Sequence, residues 1–115
     1  MIVPGPATRI FLAPGPTDLR RSFDGLHGLV LAQLQEDPRS GHLFLFCNRL
    51  RTRLKVLCFD GSGLWICAKR LEKGRFTWPG AEVGTKVRLC AEELALLLGG
   101  LELTRVKRQD WWRSE

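Results

Sequence analysis

The sequence predicts a single α+β domain, an antiparallel meander of about five strands flanked by an N-terminal and a C-terminal helix. Three observations carry this expectation. The run Leu43-Phe44-Leu45-Phe46-Cys47 is too short for a helix and apolar on both faces. Asp60-Gly61-Ser62-Gly63 separates two strand-like arms, a hairpin signal. Apolar residues recur at helical spacing in one stretch before these strands and one after them. The chain has 115 residues, 44% of them apolar. That suits one domain burying roughly two-thirds of its unfolded surface, so neither a disulfide nor a metal is required to hold it.

Taken in order, Pro4-Gly5-Pro6 and Pro14-Gly15-Pro16 bracket a short strand predicted over residues 8–12. Thr17 or Asp18 offers a helix N-cap. Leu19, Phe23, Leu26, Val30 and Leu34 follow at spacings of 4, 3, 4 and 4, one stripe of an amphipathic helix. Gly25 and Gly28 weaken that helix by up to ~1 kcal/mol each relative to Ala, which permits a break near them. Pro38 closes it within the turn Asp37-Pro38-Arg39-Ser40-Gly41. Residues 42–47 read as a strand covered on both faces, and residues 48–52 as a basic loop. Residues 53–59 and 64–69 are the hairpin arms. Alternation gives Leu54, Val56 and Cys58 one face of the first arm and Arg53, Lys55 and Leu57 the other. Residues 71–74 turn the chain into a short strand at 75–78, stopped by Pro79. A further strand is predicted over 85–89. A helix is predicted over 91–98, with Glu92 and Glu93 in its first turn and Gly99-Gly100 at its C-cap. Residues 1–104 then make the domain, and residues 105–115 a polar C-terminal tail.

The longest apolar runs have five residues, against the ~20 that a membrane span needs. No basic segment followed by a long apolar one opens the chain. A cytoplasmic protein without membrane contact is the expectation.

The formal charge of +6 is unevenly placed: residues 1–48 are neutral, 49–75 carry +6, 76–104 carry −2 and 105–115 carry +2. The basic segment consists of Arg49, Arg51, Arg53, Lys55, Lys69, Arg70, Lys73 and Arg75 against Asp60 and Glu72. A positive field this concentrated attracts polyanions, of which nucleic acid is the natural one in a cytoplasm, although a solvated basic face needs no ligand. Hairpin pairing would bring the open ends of both arms together and merge two basic groups into one patch. Trp65, Phe76 and Trp78 interleave with these cations, a combination that suits single-stranded or distorted nucleic acid. Core packing accounts for Trp65 and Phe76 better. Adjacent Trp111 and Trp112 cannot both face one core from a strand, so one of them is a candidate partner contact.

Little in the chain resembles a catalytic constellation. Cys47, Cys58, Cys67 and Cys90 contain no C-x-x-C pair and three of them fall in apolar strands, where Cys packs as a small hydrophobe. Reduced thiols and no metal are expected. His27 and His42 read as structural residues. Asp18, Asp24, Asp60 and Glu72 are the carboxylates by type that a metal-dependent nuclease would need. Asp18, however, looks like a cap, Asp60 is a turn residue and Glu72 sits among cations. No acid-x-Lys element, G-x-x-x-x-G-K, G-x-S-x-G or H-E-x-x-H occurs.

Nearly the whole chain carries a family likeness. Thr17-Asp18-Leu19-Arg20-Arg21-Ser22-Phe23-Asp24-Gly25-Leu26 resembles the T-D-M-R-K-x-F-D-G-L opening of the small accessory proteins, called TnpB, of insertion-sequence-66-type bacterial mobile elements. Ser40-Gly41-His42-Leu43-Phe44-Leu45-Phe46 with Leu54-Lys55-Val56-Leu57 is similar to that family's second block. Asp60-Gly61-Ser62-Gly63-Leu64 and Lys69-Arg70-Leu71-Glu72-Lys73-Gly74-Arg75-Phe76-Thr77-Trp78-Pro79 are similar to its third, and residues 94–101 to its closing L-x-x-L-L-x-G-x. Phe59 and Ala68 depart from the pattern, where a Trp and an aromatic are common. The resemblance implies a supporting role in transposition beside a separate, larger transposase that carries the catalytic carboxylates. The family shares only its name with the RNA-guided nucleases. The expectation is a non-enzymatic accessory factor, without cofactor, that binds DNA through residues 49–75. The alternative is an adaptor that docks on the transposase or a sister accessory protein through residues 94–101 and Trp111-Trp112.

Overall fold

The computed structural model describes residues 4–79 and 84–100 and the backbone of 113–114. Strand β1 (Ile10–Leu12) leads through helix α1 (Phe23–Leu29) and a π-helical segment (Val30–Leu34) into β2 (Leu43–Cys47). Strands β3 (Arg53–Phe59) and β4 (Leu64–Arg70) form the hairpin, β5 (Val87–Leu89) enters α2 (Ala91–Leu98), and β6 (Arg113–Ser114) pairs on the far side of β5. The strands lie in one sheet in the order β4-β3-β2-β1-β5-β6.

The α+β class is as expected, and the antiparallel pattern holds at every joint but one. β1 runs parallel to β2, with Ile10 beside Leu43 and Leu12 beside Leu45. Parallel neighbours need a crossover rather than a tight turn, and α1 with its π-helical extension supplies it. The sheet is therefore mixed.

Alternation along the strands sorts the core onto two faces. Phe11, Phe44, Phe46 and Leu57 meet Leu26, Val30 and Leu34 on the α1 side. Ile10, Leu12, Leu43, Leu45, Leu54 and Val56 meet Leu94 and Leu97 on the α2 side. β2 has all five residues buried, as its apolar run requires. Each fully buried Leu or Phe contributes ~1.5–3 kcal/mol.

Helix α1 starts later than the apolar stripe predicts. The Thr17 N–H donates to the Cys47 carbonyl (2.8 Å), which holds the chain extended beside the sheet. Asp18 then folds on Arg20, its Oδ1 accepting the Arg20 backbone N–H (3.0 Å). Helical φ and ψ begin only after Ser22, so Leu26, Val30 and Leu34 are the fully buried part of the stripe while Phe23 is 46% exposed. Beyond Leu29 the backbone widens to π spacing, and Gln35 ends it in a left-handed conformation (φ 53°). Lys86 Nζ donates to the Leu34 carbonyl (2.7 Å) and pairs with Glu36, a cation placed at the negative end of the helix.

The strand predicted at 75–78 does not form. Phe76 and Trp78 are drawn into the α2-side core from irregular backbone. The Phe76 N–H donates to the Arg51 carbonyl (2.6 Å), and the Trp78 indole N–H to the Ala13 carbonyl (2.8 Å). Helix α2 has the predicted bounds. The Glu93 carboxylate accepts the Cys90 N–H (2.9 Å) at its start, and Gly100 takes a left-handed φ of 71° after its end.

Candidate nucleic-acid interface

The hairpin builds the site. Asp60 closes its turn: Oδ1 accepts the N–H groups of Ser62 and Gly63 (both 2.9 Å), and Oδ2 accepts the indole N–H of Trp65 (2.7 Å). These donors, Trp65 first, hold its carboxyl well below the ordinary carboxylate range. The register that follows sets Arg53 directly opposite Arg70, Leu54 opposite Lys69 and Lys55 opposite Ala68. Two basic groups far apart in sequence thus meet at the open end of the ladder.

The loops beyond that end are held together. Asn48 Oδ1 accepts the N–H groups of Thr52 (2.9 Å) and Arg53 (3.1 Å), and its Nδ2 donates to Thr52 Oγ1 (3.2 Å). Arg51 occupies the left-handed region (φ 61°) in this turn. The Leu71 N–H donates to the Thr52 carbonyl (2.9 Å), and the Phe76 N–H to that of Arg51. These two bonds tie the loop bearing Lys73 and Arg75 at both of its ends to the loop bearing Arg49.

The eight cations are not equivalent. Arg49, Arg53, Lys69, Arg70, Lys73 and Arg75 are exposed. Arg70 makes a long ion pair with Glu72 (3.7 Å) between two exposed side chains, a contact worth little. Lys55 is half-buried and donates from Nζ to the Arg21 carbonyl (3.0 Å). Lys69 donates to the Leu98 carbonyl (2.6 Å) at the end of α2. Arg51 folds inward, its guanidinium 5.5 Å from the Trp78 ring centroid. One groove of about 360 Å³ gathers Arg53, Lys55, Lys69 and Arg70 with Leu19 and Ala68. A second, of about 370 Å³, shares Leu19 and runs past Asp18 and Asn48 to Arg49 and Leu50.

Two further arginines stand beside these grooves. Arg21 is brought to Lys55 by the bond just described, and Arg20 is paired with Asp18 (2.7 Å), which lowers the Asp18 carboxyl to about 2. The balanced charge of residues 1–48 conceals them; the adjacent pair Arg20-Arg21 at the end of an extended segment is the signal available in sequence.

Trp65 is not a core residue. It is 54% exposed and lies over the turn, whereas Phe76 (3%) and Trp78 (7%) are packed. Those two cannot stack on bases without unfolding the segment. Trp111 and Trp112 lie outside the described residues.

All four cysteines are free thiols; Cys47 is buried, and burial pushes its thiol upward in pKa. His42 Nδ1 accepts the Arg9 N–H (2.9 Å), a structural contact. Among the described residues, no three His, Cys, Asp or Glu side chains converge as metal ligands would. No described helix is long and apolar enough to cross a membrane.

A family model described as IS66 Orf2 like protein matches residues 8–108. Two uncharacterized proteins of Sinorhizobium fredii are similar along almost their whole length. Protein y4jC is 40% identical over 109 residues, covering 95% of this chain and 92% of the relative. Protein y4hO is 37% identical over 113 residues, covering 98% and 96%. No solved structure matches the chain. The match over residues 8–108, and relatives this similar from end to end, place the chain in the IS66 Orf2-like family, an accessory family of a transposable element.

Proposed function

We propose that the protein is a non-enzymatic accessory factor of transposition that binds DNA through the open end of the β3–β4 hairpin. The observation that carries this is the facing pair Arg53 and Arg70, with Arg49, Lys73 and Arg75 on loops tied to the same end. Like charges fixed opposite one another are a cost to the free protein, and a phosphate between them removes it. Contacts between these cations and phosphates position DNA and carry no sequence information themselves. Lys55 and Lys69 contribute field while their ammonium groups also cap backbone carbonyls. Arg51, stacked on Trp78, supports the loop from inside.

Affinity for duplex DNA measured across a salt series tests the reading. Four phosphate contacts give a slope of log K against log salt near −3.6, or about −2.8 for a single strand. The double variant Arg53→Ala/Arg70→Ala should flatten the duplex slope to about −1.8 and weaken binding to all sequences alike. Unchanged affinity and slope in a folded variant would refute the interface. An association with the transposase that persists after nuclease treatment and high salt would favour the adaptor role instead.

A further inference from the structure

Strand β4 forms one edge of the sheet over its seven residues, Leu64–Arg70. The hairpin's hydrogen bonds fix which of its backbone groups face outward. The pairs Asp60–Gly63 (3.1 Å) and Thr52–Leu71 (2.9 Å) are bonded, and in an antiparallel ladder bonded and non-bonded pairs alternate. Trp65, Cys67 and Lys69 therefore direct their N–H and C=O groups to β3. Leu64, Ile66, Ala68 and Arg70 direct theirs outward, where no described strand meets them. Exposed edges of this length are templates for another strand.

We propose that this edge pairs with the same edge of a second copy of the chain, antiparallel about a two-fold axis at Cys67. This register is selected by the strand itself. It sets Leu64 opposite the second copy's Arg70 and Ile66 opposite its Ala68, so all four outward residues of each copy are bonded. A shift of two residues in either direction leaves one of them beyond the ladder.

The side chains fit the same register. Trp65 comes to lie opposite the second copy's Lys69, in a non-bonded pair where side chains approach most closely. A lysine against an indole face is attractive. Both residues point to the α2 side of the sheet, as their neighbour Cys67 does. Lys69 there borders an open apolar groove of about 300 Å³ with Leu54, Val56, Leu94 and Leu98. The exposed indole thus gains a cation and an apolar wall together. The basic ends are kept apart: the two copies' Arg70 residues fall six positions from each other along the joint, about 20 Å. The dimer would present two separate basic patches.

Sedimentation equilibrium of the full chain, expected to give a dimer, is the first measurement. The two Cys67 residues form a non-bonded cross-strand pair, within disulfide reach. Diamide, which takes the two thiol hydrogens as it is reduced, should therefore link the copies. The link should vanish in Cys67→Ser and survive in Cys58→Ser. Ala68→Pro removes an outward N–H without touching the β3 ladder and should weaken the dimer about tenfold or more. A monomer at all concentrations, a link that survives Cys67→Ser, or a dimer indifferent to Ala68→Pro in a folded variant would each overturn the proposal. Should Ala68→Pro fail to fold, the Cys67 link in the otherwise unaltered chain decides alone.

Discussion

Arg53 and Arg70 stand directly opposite one another across the β3–β4 ladder, at the end where the hairpin opens. A cross-strand pair of like charges costs about 0.2–1 kcal/mol relative to a neutral one. Glu72 relieves it little, because its contact with Arg70 is 3.7 Å long and solvent-exposed. The arrangement lowers stability and concentrates positive charge at one place.

The first prediction follows from that cost. Arg70→Gln should raise the thermal midpoint at low salt by roughly 1–5 °C, with a smaller gain at high salt, where the repulsion is already screened. The same variant should bind DNA more weakly. Differential scanning calorimetry at two ionic strengths, beside the binding isotherm, measures both. A variant that loses stability would show that the pair is not repulsive.

Trp78 carries the second. It is almost fully buried, its indole N–H satisfies the Ala13 carbonyl, and its ring receives the Arg51 guanidinium. Trp78→Phe keeps an aromatic ring but leaves that carbonyl unpaired, which should cost about 1–3 kcal/mol. Urea unfolding measures the loss. A difference below a few tenths of a kcal/mol would mean that the bond contributes nothing net.

A third prediction concerns Asn48. Its side chain holds the N–H groups of Thr52 and Arg53, and so sets the turn from which Arg49 and Arg53 project. Asn48→Ala should destabilise the domain by about 1–2 kcal/mol, since the part-buried Thr52 N–H and the exposed Arg53 N–H both lose their partner. Hydrogen exchange at Thr52 and Arg53 should accelerate more than exchange in β2. DNA binding should weaken although no charge has been removed. Equal exchange rates in the variant and the parent would dismiss the loop-setting role.

The parts of this fold that could be read from the sequence are those whose cause is local. The run at 43–47 has no polar face, so it had to be a central strand. Asp60 with two glycines and Ser62 specifies the turn by its own hydrogen bonds, and the turn fixes the register that brings Arg53 to Arg70. Glu93 and Gly100 mark both ends of α2. The remainder depends on distant partners. Leu19 and Phe23 keep helical spacing, yet Cys47 holds Thr17 extended and Asp18 bonds to Arg20, so the helix waits until Phe23. The parallel joint β1–β2 was signalled by a helix between two strands and was obscured by the antiparallel arms after it. Phe76 and Trp78 are buried without a strand because Arg51 and Ala13, remote in sequence, receive their N–H groups. The same distance hides the inward fold of Arg51 and the approach of Arg21 to Lys55.

The last prediction concerns acid. Arg20 holds the Asp18 carboxyl at about 2, against an ordinary value of 3.8. The donors around Asp60, Trp65 first and then Ser62 and Gly63, depress that group too. A carboxylate whose pKa is lower in the folded chain than in the unfolded one binds fewer protons when folded. Its stabilisation is complete above the unfolded pKa and is lost as pH falls through the folded one. The sign is therefore fixed: stability should decline from about pH 4 downward, not upward from neutrality. Asp60→Asn keeps the shape of the side chain and removes its ionisation. The variant should be less stable than the parent near pH 5, and the difference should narrow steadily as pH drops from about 4 towards 2, because the unfolded parent takes up a proton at Asp60 that the folded parent does not. Thermal midpoints of parent and variant at half-unit pH intervals give the comparison directly. A gap that stays constant across that range would mean that the charge on Asp60 does not hold the hairpin turn, and that the shape of the side chain alone is sufficient.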